Sequence, residues 1–134
     1  MKYDSEDIDT AARTAWGEDR GGGIQGMLMV LWVIRNRAMD SRWPDSPKGV
    51  ALQDYQFSAW NEGNPNRAKM KALCPNDMLF GAALGMARAV FEGLDQHDPT
   101  DGANHYYSNR IPLPSWARGM KQTAEFNSHL FYRA

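Results

Sequence analysis

The stretch AWGEDRGGG, Ala15 to Gly23, joins the end of one helical pattern to the start of another and places a carboxylate at the junction. Upstream, Ile8, Ala11, Ala12, Ala15 and Trp16 recur at helical spacing, and Ser5 followed by Glu6 and Asp7 suits a helix start. Gly17 weakens that helix and Gly21 to Gly23 end it, so Glu18 sits in or just past the last turn. Downstream, a second helix is expected from near Gly23 to about Asp40. Its centre, MLMVLWVI (Met27 to Ile34), is apolar all round, as for a central helix covered on every side.

Further along, WPDSPKG reads as a loop in which Pro44 and Pro47 block regular structure. VALQDYQFSAWNEGNPN mixes strand-like and turn-like fragments with a high density of Tyr, Phe and Trp, and fits no single element. A third helix starts at Pro75-Asn76-Asp77. Phe80, Ala83, Leu84, Ala87, Val90, Phe91 and Leu94 form its stripe, and Gly93 marks its end. DQHDPTDGANHYYSN reads as a turn and a short strand through Tyr106 and Tyr107, IPLPSWARGM as a Pro-rich turn with a helical piece, and AEFNSHLFYR as a final strand. The expected fold class is α+β, mostly helical with a small β element, in a single domain over residues 1–134.

Composition narrows the function. Hydrophobic residues make up 43% and charged residues 23%, so disorder and coiled coil are disfavoured. A formal net charge of -1 argues against nucleic acid as a partner, because that binding is driven by basic residues meeting phosphate. The single Cys74 makes no intrachain disulfide and precludes a cysteine-rich metal site. The acidic N-terminus MKYDSEDID has no apolar core and is not expected to be a signal peptide. The longest apolar run is well short of the ~20 residues that span a bilayer, so no membrane insertion is expected. Synthesis in the cytoplasm and a monomeric state are the corresponding expectations.

Glu18 carries the chemistry. A carboxylate near a helix C-terminus faces partial negative charge, burial beside Trp16 disfavours its ionised form, and Asp19 adds like-charge repulsion. Arg13 and Arg20 oppose these effects. An acid that keeps its proton near neutral pH is what a general acid needs, and the neighbouring glycines let a bulky substrate approach. The plainer alternative is an exposed glutamate paired with Arg20. Tyr55, Gln56, Phe57, Trp60, Tyr106, Tyr107 and Trp116 supply flat rings and an amide suited to sugar rings and acetamido groups, although Phe57 and Phe126 are also natural core residues. His97, His105 and His129 match no zinc motif, H-E-x-x-H and G-x-S-x-G are absent, and no metal or cofactor is expected.

ARTAWGEDRGG, GMLMVLWVIRNRA, RWPDSPKGVALQDYQFSAWNEGNPNR, DPTDGANHYYSN, PSWARGM and HLFYR, in this order, resemble the SleB-like cell wall hydrolases, which include the catalytic domains of spore cortex-lytic enzymes and many phage endolysins. The resemblance runs from about Ala11 to Arg133. It implies a lysozyme-like fold related to lytic transglycosylases and cleavage between N-acetylmuramic acid and N-acetylglucosamine in peptidoglycan. Glu18 matches the catalytic glutamate of the family's GEARGE-like motif. Where that motif carries a second glutamate, this chain has Gly22.

The resemblance implies a one-glutamate mechanism ending in 1,6-anhydro sugars. Hydrolysis of the same bond with a second carboxylate is the alternative, with Asp19, Asp54, Glu62, Asp98, Asp101 and Glu125 as the available acids. A zinc-dependent amidase and a non-catalytic glycan-binding module are the rivals from other classes. Asn36, Gln56, Ser58, His105, Tyr106 and Tyr107 lie in matching blocks and join Phe57, Trp60 and Trp116 as expected substrate-binding residues. Asn36 serves equally as a helix end, and Ser58 as a turn cap. The expected role is that of a phage-type lysin acting on the wall after a separate protein permeabilises the membrane.

Overall fold

A computed structural model describes residues 1–134. Helix α1 (Ser5–Asp19) passes through a 3-10 turn (Arg20–Gly22) directly into α2 (Gly23–Ala38). The short helices α3 (Pro47–Ala51) and α4 (Pro65–Lys71) flank a 3-10 turn at Ser58–Trp60, and α5 (Met78–Phe91) completes the helical layer. Strands β1 (His105–Ser108), β2 (Lys121–Phe126) and β3 (His129–Arg133) form an antiparallel sheet in the order β1-β3-β2. This is the helix-dominated α+β class expected from the sequence.

The all-round apolar character of α2 has a geometric cause. Val30, Leu31 and Ile34 join Ile8, Ala11 and Ala15 of α1 and Phe80, Ala87 and Val90 of α5 in the main core. Met29 and Val33 meet Ala103 and Phe131 of the sheet layer in a second cluster. The helix is therefore sandwiched, and of MLMVLWVI only Leu28 is left partly exposed. Each fully buried side chain of this kind stabilises the fold by about 1.5–3 kcal/mol relative to exposure. Ala11, Ala12 and Ala15 let the three helices approach closely.

Local chemistry revises several expected elements. Asp4, not Ser5, caps α1: its carboxylate accepts from the Glu6 and Asp7 amides, and Asp7 answers by accepting from the Asp4 amide at 2.8 Å. Pro47 opens α3 instead of blocking structure, because a first-turn proline loses no helical hydrogen bond, and the Ser46 hydroxyl caps Gly49. Asn64 and Pro65 start α4 in the same way. No strand forms in VALQDYQFSAWNEGNPN. Asp77 caps α5 as anticipated, but Leu94 is 78% exposed, because Gly93 at φ 79° turns the chain away from the core. AEFNSHLFYR is a hairpin, not one strand: Asn127 at φ 51° reverses the chain, and β2 and β3 pair from Phe126↔His129 outward.

Gly17 fixes how the site is assembled. It is buried in α1, and a Cβ there would fall on the Met70 sulfur of α4 and 3.1 Å from the Ala59 Cβ. Met70 is fully buried, so its side chain would have to shift within a packed interior to make room. Gly17→Ala should therefore lower stability by about 1–3 kcal/mol in urea unfolding, the usual cost of overpacking. Gly21→Ala, where a Cβ meets nothing within 4 Å, should change stability by less than ~0.5 kcal/mol.

Candidate active site

Glu18 occupies the last turn of α1, half-buried, with both carboxylate oxygens engaged. The Tyr106 hydroxyl on β1 donates to Oε1 at 2.9 Å, and the Ala59 amide of the Ser58–Trp60 turn donates to Oε2 at 3.1 Å. Two open hollows meet at this side chain. One, of 340 Å³, is lined by Arg37, Tyr55, Gln56, Ser58 and Tyr107 among others. The other, of 400 Å³, is lined by Asp19, Gly21, Gly22, Arg110 and Asn127. Glu18, Ser108 and His129 belong to both, so the carboxylate lies at the centre of a continuous groove between the helical layer and the sheet.

Burial pushes the Glu18 carboxyl above its ordinary value of 4.5. The hydrogen bonds from Tyr106 and Ala59 and the nearby His129 pull the other way but do not overcome it. The direction and its leading cause, burial, agree with the sequence argument, while repulsion by Asp19 is not among the causes. The Asp19 carboxylate accepts from the Gly22 amide at 3.1 Å and pairs with His129 Nδ1 at 3.3 Å. Arg20 stacks over Trp16 with its guanidinium 4.0 Å from the ring centroid and donates to Asn66, while Arg13 is held by Asp9, Met70 and Leu73. Neither arginine pairs with Glu18. Burial and the neighbouring Glu18 carboxylate hold the Tyr106 phenol well above its ordinary range, so it stays a neutral donor.

The glycines serve the turn and Asp19 as much as the groove. A Cβ at Gly22 or Gly26 would collide with the Asp19 carboxylate, and Gly23 adopts φ 68° where α2 begins. Only Gly21 and Gly22 face the groove.

Of the residues expected to bind substrate, Gln56, Ser58, Tyr106 and Tyr107 do line the groove. Phe57 does not: it is 2% exposed and belongs to the main core. Asn36 is also taken out, because its amide donates to Asp98 at 2.8 Å and to the Ala103 carbonyl at 2.9 Å, which ties α2 to the loop before β1. His105 and Trp116 do not line the groove: they pack with Trp43, Tyr107 and Tyr132 in an aromatic cluster that meets it through Tyr107. Trp60 donates its indole N–H to Thr14 at 2.8 Å and lines a separate hollow. His97, His105 and His129 sit apart, and no trio of His, Cys, Asp or Glu is gathered as a metal site would require.

The remaining acids divide cleanly. Asp98 accepts from Asn36, Thr100 and Gly102 and stabilises its loop. Asp54 and Glu62 line the separate hollow beyond Tyr55, and neither Asp101 nor Glu125 lines the groove.

Sequence reasoning missed Arg37 and the site role of His129. Arg37 is 5% exposed, donates to the Asn104 carbonyl and Gln56, and reaches the groove from α2. Its spacing of three and four residues from Ile34 and Val33, on the buried face, is the signal that was available. The His129 ring lies 5.2 Å edge-on from Tyr106, beside Glu18.

The family described as Cell Wall Hydrolase matches residues 21–132, and the chain belongs to that family. Relatives include the spore cortex-lytic enzymes of Halalkalibacterium halodurans and Oceanobacillus iheyensis. Each is 27% identical over 129 residues, 96% of this chain but 35% and 42% of theirs. The chain thus spans less than half the length of these relatives. The fold is that of the catalytic domain of the Bacillus cereus SleB protein (TM-score 0.77, 24% identity, 98% of this chain and 93% of that one). The catalytic domain of the germination-specific lytic transglycosylase SleB from Bacillus anthracis shares it too (TM-score 0.75, 24% identity, 98% and 97%). The family match begins three residues beyond Glu18, whose assignment stands on the geometry above.

Two outcomes follow from the Glu18 setting. A carboxyl whose folded value is raised stabilises the fold below its unfolded value and loses that contribution as pH rises through the folded one. Glu18→Gln should therefore match the parent protein in thermal unfolding below pH 4.5 and become progressively the more stable above it. Tyr106→Phe removes a donor that favours the charged form, so the alkaline fall in activity should move to higher pH.

Proposed function

We propose that this domain cleaves peptidoglycan glycan strands between N-acetylmuramic acid and N-acetylglucosamine as a lytic transglycosylase, with Glu18 as the sole proton-transfer residue. One observation carries the reading: a half-buried carboxyl with a raised pKa at the centre of the groove, with no second free carboxylate beside it. The protonated Glu18 gives its proton to the glycosidic oxygen as the bond to the muramic C1 breaks. The resulting carboxylate then takes the proton from the C6 hydroxyl of the same sugar as O6 bonds to C1. Acid and base are regenerated in one residue, and no activated water is needed. Tyr106 and the Ala59 amide orient the carboxylate through both steps. The polar rim of Gln56, Ser58 and Ser108 suits sugar hydroxyl and acetamido groups.

Family membership supports a wall substrate. The name lytic transglycosylase, carried by a protein of the same fold, supports the bond chemistry. A second reading, hydrolysis, draws on the pair of Asp19 and His129. With Nδ1 held by Asp19, the other ring nitrogen could serve as a base for water in the same groove.

Glu18→Gln retains shape and hydrogen-bonding reach but cannot transfer a proton. Its rate on purified peptidoglycan should fall by about 10²–10⁴. Mass spectrometry of the parent digest should show ends lighter by one water than hydrolytic ends, and EDTA should leave the rate unchanged. Reducing ends in place of anhydro ends would select hydrolysis, and an active glutamine variant would remove Glu18 from the mechanism.

A further inference from the structure

Asp19 and His129 stand in the groove beside Glu18 and have no part in the one-glutamate chemistry. Asp19 is the last residue of α1 and His129 the first of β3, so their contact at 3.3 Å joins helix to sheet. Each side chain is only 15% exposed, which sets the pair apart from the solvated surface ion pairs that contribute little. Both ends are fixed. The Gly22 amide donates to Asp19 Oδ1 at 3.1 Å, and Gly22 and Gly26 leave the carboxylate its space. His129 lies on the central strand, paired with Ser108 of β1 on one side and Phe126 of β2 on the other.

The strand register decides what the imidazole holds. Tyr106 pairs with Phe131, so His129, two residues earlier on β3, is its diagonal neighbour on the same face of the sheet. The Tyr106 ring packs against both, 5.5 Å from Phe131 and 5.2 Å from His129 between ring centroids. Phe131 is a buried core residue, whereas His129 lines the groove. Phe131 therefore backs the ring from the core and His129 from the groove, and the hydroxyl of that ring donates to Glu18 Oε1. A continuous chain of contacts runs from Gly22 through Asp19, His129 and Tyr106 to the carboxyl. We propose that the Asp19–His129 pair is a positioning device for the cleavage step and acts on Glu18 through Tyr106. Asp19 fixes the imidazole, the imidazole confines the Tyr106 ring, and the ring aims the hydroxyl. The inference rests on the reading of Glu18 as the proton-transfer residue and adds two positioning residues to it.

A double-mutant cycle in the full chain tests this role. His129→Asn keeps a donor for Asp19 but removes the ring, and Tyr106→Phe keeps the ring but removes the hydroxyl. The values of kcat and KM are measured on soluble peptidoglycan fragments, at each variant's pH optimum and at a temperature where thermal unfolding shows it folded. His129→Asn should lower kcat by about tenfold and leave KM within about twofold, because a small misplacement of a reacting group is costly. In the Tyr106→Phe background the same substitution should lower kcat by less than about twofold, since the hydroxyl it aims is already gone. If His129→Asn does not fold, Asp19→Asn, which keeps the volume and loses the charge, carries the same cycle with the same expectation. An unchanged kcat would overturn the proposal. So would a loss as large in the Tyr106→Phe protein as in the parent, which would show His129 acting on substrate or on folding independently of Tyr106. An active Glu18→Gln protein would defeat the underlying reading, whereas an additive cycle with Glu18→Gln inactive would defeat this inference alone.

Discussion

The site depends on one close approach. The Ser58–Trp60 turn lies against the last turn of α1 because Gly17 has no side chain, and Met70 and Ala59 fill the space one would need. That approach delivers the Ala59 amide to Glu18 Oε2 and closes the helical side of the groove. The sheet closes the other side. Phe131 on β3 packs on Met29 and Val33 of α2, β1 pairs with β3 through Tyr106↔Phe131, and Tyr106 reaches Oε1. The carboxylate is thus held by the two layers of the fold at once, and its geometry is only as precise as their packing around α2.

The electrostatics follow from the same arrangement. Burial disfavours the charged carboxylate, and the two donors limit that effect without reversing it. The shift is in the direction the proposed proton donor needs, and donors already in place would receive its conjugate base. Asp19, adjacent in sequence, is prevented from competing: Gly22 and Gly26 leave room for its carboxylate, the Gly22 amide caps it, and His129 pairs with it. Gly22 and Asp19 are therefore spatially linked, since the Asp19 carboxylate occupies the volume that a side chain at Gly22 would enter.

The sequence made the long elements readable because their periodicity is strong. The run from Met27 to Ile34 has no polar face, and the α5 stripe recurs cleanly from Phe80 to Phe91. Short elements were lost where capping decides them. Ser46-Pro47 and Asn64-Pro65 are helix starts, yet a proline between polar residues reads equally as a loop. The β2–β3 hairpin was hidden because Asn127 and Ser128 interrupt it by only two residues. At the site, Glu18 was legible from its place at a helix end. Its partners were not, because Ala59 contributes a backbone amide, which no residue type announces, and Tyr106 lies 88 positions away. Asn36 and Phe57 sit in the right blocks of sequence but serve a loop anchor and the core, respectively.

The account turns on Glu18 retaining its proton in the groove. The direct measurement is a ¹³C NMR titration of the glutamate side-chain carboxyls, with the Glu18 resonance assigned by its absence from Glu18→Gln. The account predicts a Glu18 midpoint above the ordinary 4.5, moving higher still in Tyr106→Phe. A midpoint at or below 4.5 would show an ordinary ionised carboxylate at neutral pH, and would contradict its role as the proton donor.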